Sequence, residues 1–176
     1  MDKAELTRAI RERAYLEGDF VLRSGRRSKY YLDKYRVLTE PELLGEIGSR
    51  IADIVNRVEP DATRLAAPEL GAVPLAAAVS LSSRLPFLIV RGEAKSHGTG
   101  NRLEGEYAPG ERVCLVEDIV TTAGAAVETV EALRAAGLEC THAVCVVDRE
   151  EGGADALARV AVRLWPLFLL SDISAL

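Results

Sequence analysis

Apolar positions recur at helical spacing over residues 2–16, where Leu6, Ile10 and Ala14 share one face and Asp2 with Glu5 has the form of a capping box. Residues 20–33 are richer in Arg, Lys, Ser and Tyr and predict a strand, a turn and a strand. Thr39-Glu40-Pro41-Glu42 reads as a helix start, with a Thr cap, Pro in the first turn and Glu three residues after the Thr. That helix is predicted to run to about residue 58, burying Leu44, Ile47, Ile51, Ile54 and Val55. The pattern then alternates. Strands are predicted at 63–67, 86–91, 111–118, 141–148 and 162–170, and helices at 71–85, 123–136 (closed by Gly137) and 154–160. Residues 92–110 are predicted to form a long glycine-rich loop. Short buried strands alternating with helices predict an α/β fold, a parallel sheet covered on both faces. In such sheets ligands bind outside the carboxyl ends of the strands.

A chain of 176 residues, 48% hydrophobic and 28% charged, suits one globular domain, residues 1–176. The net charge of −5 argues against nucleic-acid and membrane-surface binding, which need a basic face. Cys114, Cys140 and Cys145 are odd in number and sit among apolar or β-prone neighbours, so they read as reduced core residues of a cytoplasmic protein. Residues 1–18 carry charges throughout and do not form a signal peptide, and the apolar run 164–170 is too short to span a bilayer.

The chemistry is concentrated at strand ends. In Val116-Glu117-Asp118-Ile119-Val120-Thr121-Thr122-Ala123-Gly124-Ala125 an apolar strand delivers two adjacent acids, then a turn of small and hydroxyl residues opens a helix. Free N–H groups and the positive end of a helix dipole make such a turn a phosphate site. The acids would repel the phosphate itself but suit a neighbouring ribose diol. The plain alternative is that Glu117 and Asp118 merely precede a helix capped by Thr121 or Thr122. The string VCLVEDIVTTAGAA resembles the phosphoribosyl pyrophosphate (PRPP) signature of the type I phosphoribosyltransferases. The resemblance implies that Glu117 and Asp118, the latter a catalytic residue, hold the ribose hydroxyls. It also implies that Ile119, Val120 and the turn Thr121, Thr122, Ala123, Gly124 and Ala125 wrap the 5-phosphate. Many members carry glycine at the position of Ala123, and Ser or Thr at that of Ala125.

Arg91-Gly92-Glu93-Ala94-Lys95-Ser96-His97-Gly98-Thr99-Gly100-Asn101-Arg102 gathers cations and glycines in an acidic protein, as a solvated surface loop or a closing lid would. Its order is similar to the catalytic loop of the orotate phosphoribosyltransferases, R-K-E-A-K-x-H-G. The resemblance makes Lys95 and His97 catalytic, adds Arg91 to the PRPP ligands, and implies a homodimer whose loops reach into the neighbouring subunit's site. Gly92 stands where the family has lysine.

Two more segments are similar to that family. Phe20-Val21-Leu22-Arg23-Ser24-Gly25 through Tyr30-Tyr31-Leu32-Asp33 is otherwise a basic exposed hairpin, and Val147-Asp148-Arg149-Glu150-Glu151-Gly152-Gly153 otherwise offers an Arg beside surface acids. A flat anionic base needs cations and planar surfaces. By resemblance Arg23, Tyr31, Thr121 and Arg149 bind orotate. The segment Ala67-Pro68-Glu69-Leu70-Gly71-Ala72-Val73-Pro74 matches the loop that approaches the pyrophosphate, with a family glycine pair reduced to Gly71-Ala72. The implied fold is the type I phosphoribosyltransferase fold, with an N-terminal hood (mainly residues 1–38) over a core (about 39–176). The implied reaction joins orotate to PRPP for pyrimidine biosynthesis, with Mg²⁺ bound through PRPP and water and no protein metal ligand. Transfer to another base, or a non-catalytic PRPP-binding regulator on the same fold, are the rival readings.

Overall fold

Alternation along the central strands sorts their side chains onto two faces, and each face meets its own helices. In the computed structural model, which describes residues 1–21, 25, 27–92 and 102–175, six strands form one sheet. They are β3 (Arg64–Pro68), β4 (Phe87–Val90), β5 (Leu103–Glu104), β6 (Arg112–Val120), β7 (Glu139–Asp148) and β8 (Arg163–Leu169), in the order β5-β4-β3-β6-β7-β8. All pairings are parallel except β4 with β5. Leu65, Ala67, Cys114, Val116, Val144 and Val146 face one core, shared with α1 (Lys3–Ala14), α3 (Pro41–Val58) and α4 (Ala72–Ser83). Ala66, Val113, Leu115, Ala143 and Cys145 face the other, under α5 (Gly124–Ala135) and α6 (Gly153–Arg159). The sequence expectation of an α/β parallel sheet covered on both faces is met. All three cysteines are buried, and burial pushes their thiols up, Cys140 to about 11, which keeps them unreactive.

The N-terminal part adds α1 to the first of these cores and carries a second, two-stranded sheet. Asp2 and Glu5 make the capping box of α1, and its face of Leu6, Ile10 and Ala14 is buried. An antiparallel pair follows, β1 (Tyr15–Val21) with β2 (Arg27–Leu32).

Several boundaries differ from the sequence expectation. The first helix ends at Ala14, and β1 begins at Tyr15 instead of near Phe20. Thr39 is not the cap of α3. It closes a short helix, α2 (Tyr35–Leu38), and its hydroxyl donates back to the Tyr35 carbonyl, so Glu40 takes the N-cap position without a side-chain cap. Leu43, not Leu44, is the fully buried leucine of α3. The long loop contains β5, and the chain ends in a further helix, α7 (Leu170–Ser174). Gly48 lets α3 and α4 touch, because a Cβ there would lie 2.7 Å from the Ala78 Cβ.

Candidate active site

From β3 the chain crosses to β4 on one side, and from β6 it crosses to β7 on the other. The strand order therefore reverses between β3 and β6, which opens a crevice at their carboxyl ends. A cleft of about 920 Å³ lies there. The segment after β3, the end of β6 with the turn into α5, and Arg149 after β7 form its core walls. Tyr31, Lys34 and Tyr35 border it from the N-terminal part of the chain.

Strand β6 runs two residues beyond the expected end, so Glu117 and Asp118 lie inside the sheet ladder and are 7% and 4% exposed. Burial pushes the Glu117 carboxyl from the ordinary 4.5 up to about 8, with the Asp118 charge adding to the rise and Lys34 opposing it. Asp118 has a direct counter-ion, with Lys34 Nζ 2.7 Å from its Oδ2. Burial works against the Lys34 charge, but the Asp118 carboxylate holds its pKa above the ordinary lysine value.

Beyond β6 no side chain caps α5, which leaves its first backbone N–H groups open to an anion. The reading of Thr121 or Thr122 as a helix cap is therefore overturned: the N-cap residue is Ala123, in the left-handed region at φ 62°. Glycine adopts that conformation freely, whereas an L-residue there costs about 1–2 kcal/mol. The turn is braced from α6, where a Cβ on Gly153 would fall 2.4 Å from Val120 Cγ1.

Arg149 is registered to the same turn, its N–H donating to the Val120 carbonyl at 2.9 Å. Its Nη2 donates to the Tyr30 hydroxyl at 2.9 Å, and it pairs with Glu151 at 3.0 Å. The Tyr30 ring stacks on Tyr15 with centroids 5.2 Å apart, and Arg11 lies over Tyr15 at 4.4 Å. Arg149 Nε is buried without a hydrogen-bond partner.

Of the residues singled out in the sequence, Glu117, Asp118, Ile119, Val120, Thr121, Thr122, Ala123, Gly124, Ala125, Tyr31 and Arg149 all border this one cleft. Arg91 does not line it; its backbone pairs with Arg102 at the foot of the loop. Arg23, Lys95 and His97 lie outside the described residues. Lys34 and Tyr30 have roles that sequence reasoning missed or underrated. The signal available was their place in or directly after the Tyr30-Tyr31-Leu32-Asp33 match.

The phosphoribosyl transferase domain family matches residues 36–164. The orotate phosphoribosyltransferase of Methanocella arvoryzae is 46% identical over 157 residues, covering 89% of this chain and 87% of the relative. The chain belongs to the orotate phosphoribosyltransferase family. Solved orotate phosphoribosyltransferases share its fold. The enzyme of Aeropyrum pernix superposes with a TM-score of 0.87 at 34% identity, over 97% of this chain and 96% of that one. The Mycobacterium tuberculosis enzyme in complex with PRPP superposes with a TM-score of 0.83 at 28% identity, over 99% of both chains. The type I phosphoribosyltransferase fold expected from the motifs is thereby established.

Proposed function

We propose that this cleft transfers the ribose 5-phosphate of PRPP to a ring nitrogen of orotate and releases pyrophosphate. The observation that carries the reading is that one cleft joins the β6 acids, the uncapped start of α5 and the Arg149 guanidinium. The 5-phosphate sits on the backbone of residues 121–125, with the Thr121 and Thr122 hydroxyls beside it. Glu117 and Asp118 accept hydrogen bonds from the ribose hydroxyls and favour the cationic sugar that forms as the bond to pyrophosphate breaks. Arg149, oriented by Tyr30, takes the anionic base, with Tyr31 and Arg23 completing its pocket. Lys95 and His97 come from the neighbouring subunit of a homodimer and stabilise charge on the departing pyrophosphate.

Among the described residues no three His, Cys, Asp or Glu side chains gather to hold a metal. A Mg²⁺ would be held mainly through PRPP oxygens and water, with Glu117 and Asp118 left to the ribose hydroxyls. When bound, that ion neutralises charge on the leaving group.

No helix among the described residues is long and apolar enough to cross a membrane. We place the enzyme in the cytoplasm, as a single domain with a hood of residues 1–38 over a core of about 39–176.

The test is direct. Protein, PRPP and Mg²⁺ are mixed with orotate, or with purine bases, and base consumption is followed by absorbance. Orotate alone should be consumed. Consumption of a purine, or binding of PRPP without turnover of any base, would replace this reading with one of its rivals.

A further inference from the structure

Lys34 belongs to no motif that pointed to the site, but its ammonium stands in the middle of it. Its side chain is 33% exposed and borders the cleft, and its Nζ lies 2.7 Å from the almost fully buried Asp118. The segment after β3 is shaped around this pair. A Cβ on Gly71 would fall 2.0 Å from Asp118 Oδ2 and 2.6 Å from Lys34 Nζ, so any side chain at 71 would displace one of them.

The charges lining the cleft make the placement consequential. Among its described residues three acids, Glu69, Glu117 and Asp118, face two cations, Lys34 and Arg149. Arg149 is already engaged by Tyr30 and Glu151. With Arg149 assigned to the base, Lys34 is the other described cation that lines the cleft, and so the one left for a second polyanionic group.

We propose that Lys34 is a binding residue for the pyrophosphate group of PRPP, paired with Asp118 as the structure shows it and turning to the pyrophosphate when the ribose hydroxyls take Asp118. This rests on the PRPP reading of the cleft. The exchange keeps both groups partnered in both states. Asp118 gives up an ammonium and gains hydroxyl donors, while Lys34 gives up one carboxylate and gains phosphoryl oxygens. Four rotatable methylenes give the lysine the reach to do this, and a lysine binds phosphoryl groups as a point charge. Gly71 supplies the space in which it turns.

A purely structural Lys34, fixing hood to core, would affect every ligand alike. The proposal separates them, and the probes are inorganic pyrophosphate and ribose 5-phosphate, each titrated calorimetrically with Mg²⁺ present. Lys34→Gln should weaken pyrophosphate and raise the PRPP KM at least tenfold, while ribose 5-phosphate affinity and the orotate KM stay within about threefold. Lys34→Arg should hold pyrophosphate affinity within about threefold of wild type. Should Lys34→Gln fold poorly, Lys34→Met, which keeps the unbranched stem without the charge, should give the same split. Equal weakening of both probes, weakening of ribose 5-phosphate alone, or no change in either overturns the proposal. A wild-type protein that binds pyrophosphate through Lys34 but consumes no orotate would instead overturn the catalytic reading and leave this one standing.

Discussion

Glu117 gives the folded protein a pH dependence that can be assigned to one side chain. Its carboxyl is buried and lies beside the Asp118 charge, which carries it from the ordinary 4.5 up to about 8. Between those values the folded chain keeps a proton that the unfolded chain releases. Fewer protons are bound after unfolding, so stability falls as pH rises through this window, by about 1.4 kcal/mol for each pH unit. The loss is complete above the folded value and absent below the unfolded one. For a chain of this size 1 kcal/mol corresponds to roughly 2–4 °C, so the group adds a downward slope of about 3–6 °C per pH unit. Glu117→Gln keeps the shape and removes the titration. Melting of the ligand-free protein, followed by circular dichroism from pH 5 to 9, should show the variant gaining on wild type steadily up to about pH 8. Parallel curves for the two proteins would refute the reasoning, because they would mean that Glu117 ionises in the folded state near its ordinary value. The variant should also bind PRPP more weakly, since an amide places a donor where two acceptors are needed.

Tyr30→Phe removes the hydroxyl that orients Arg149 and should raise the orotate KM about tenfold, the scale of one hydrogen bond to a charged group; a PRPP KM that rises equally would show a general distortion. Arg149→Ala should have a larger effect in the same direction, and normal use of orotate by this variant would remove Arg149 from the base pocket. Asp118→Asn should weaken PRPP more than orotate in calorimetric titration, and unchanged PRPP affinity would return the residue to a structural role. Lys95→Ala should cut kcat with little change in melting temperature. Mixed under proven subunit exchange with Asp118→Asn chains, it should recover about a quarter of wild-type activity, because half the dimers are mixed and each has one intact site. No recovery would mean that each subunit completes its own site.

Much of this architecture is legible in the chain because apolar periodicity is a local property. The strands β3, β6 and β7 have nearly continuous apolar runs, which only a sheet buried on both faces accommodates. The acids and the turn after them are legible for the same reason, since adjacent residues at a strand end stay adjacent in space. What sequence could not supply is contact between distant segments. Nothing near Lys34 announces that it meets Asp118, because 84 positions separate them and only the tertiary fold brings them together. Tyr30 has a similar history: its neighbours suggested a planar surface for the base, whereas the fold stacks it on Tyr15 and turns its hydroxyl to Arg149. Thr39 failed for a different reason. Thr-x-x-Glu is a valid capping pattern, but the short α2 before it offered the Thr39 hydroxyl a nearer acceptor in the Tyr35 carbonyl.

The two β6 acids are neighbours in sequence with different electrostatic partners, and the difference bears on how the site works. Asp118 has an ammonium at hydrogen-bond distance, whereas the described contacts of Glu117 include no ion pair of that kind and its burial favours the proton. At neutral pH the cleft therefore holds less negative charge than its carboxyl count suggests, which eases the approach of a polyanion. A ribose diol that donates hydrogen bonds to Glu117 favours its ionised form and draws that proton away. PRPP binding should then release protons below about pH 8, and the observed enthalpy should vary with the ionisation enthalpy of the buffer. Glu117→Gln should remove that part of the variation. If wild type and variant exchange the same number of protons with buffer, Glu117 does not change its ionisation on binding, and its role is confined to shaping the strand end.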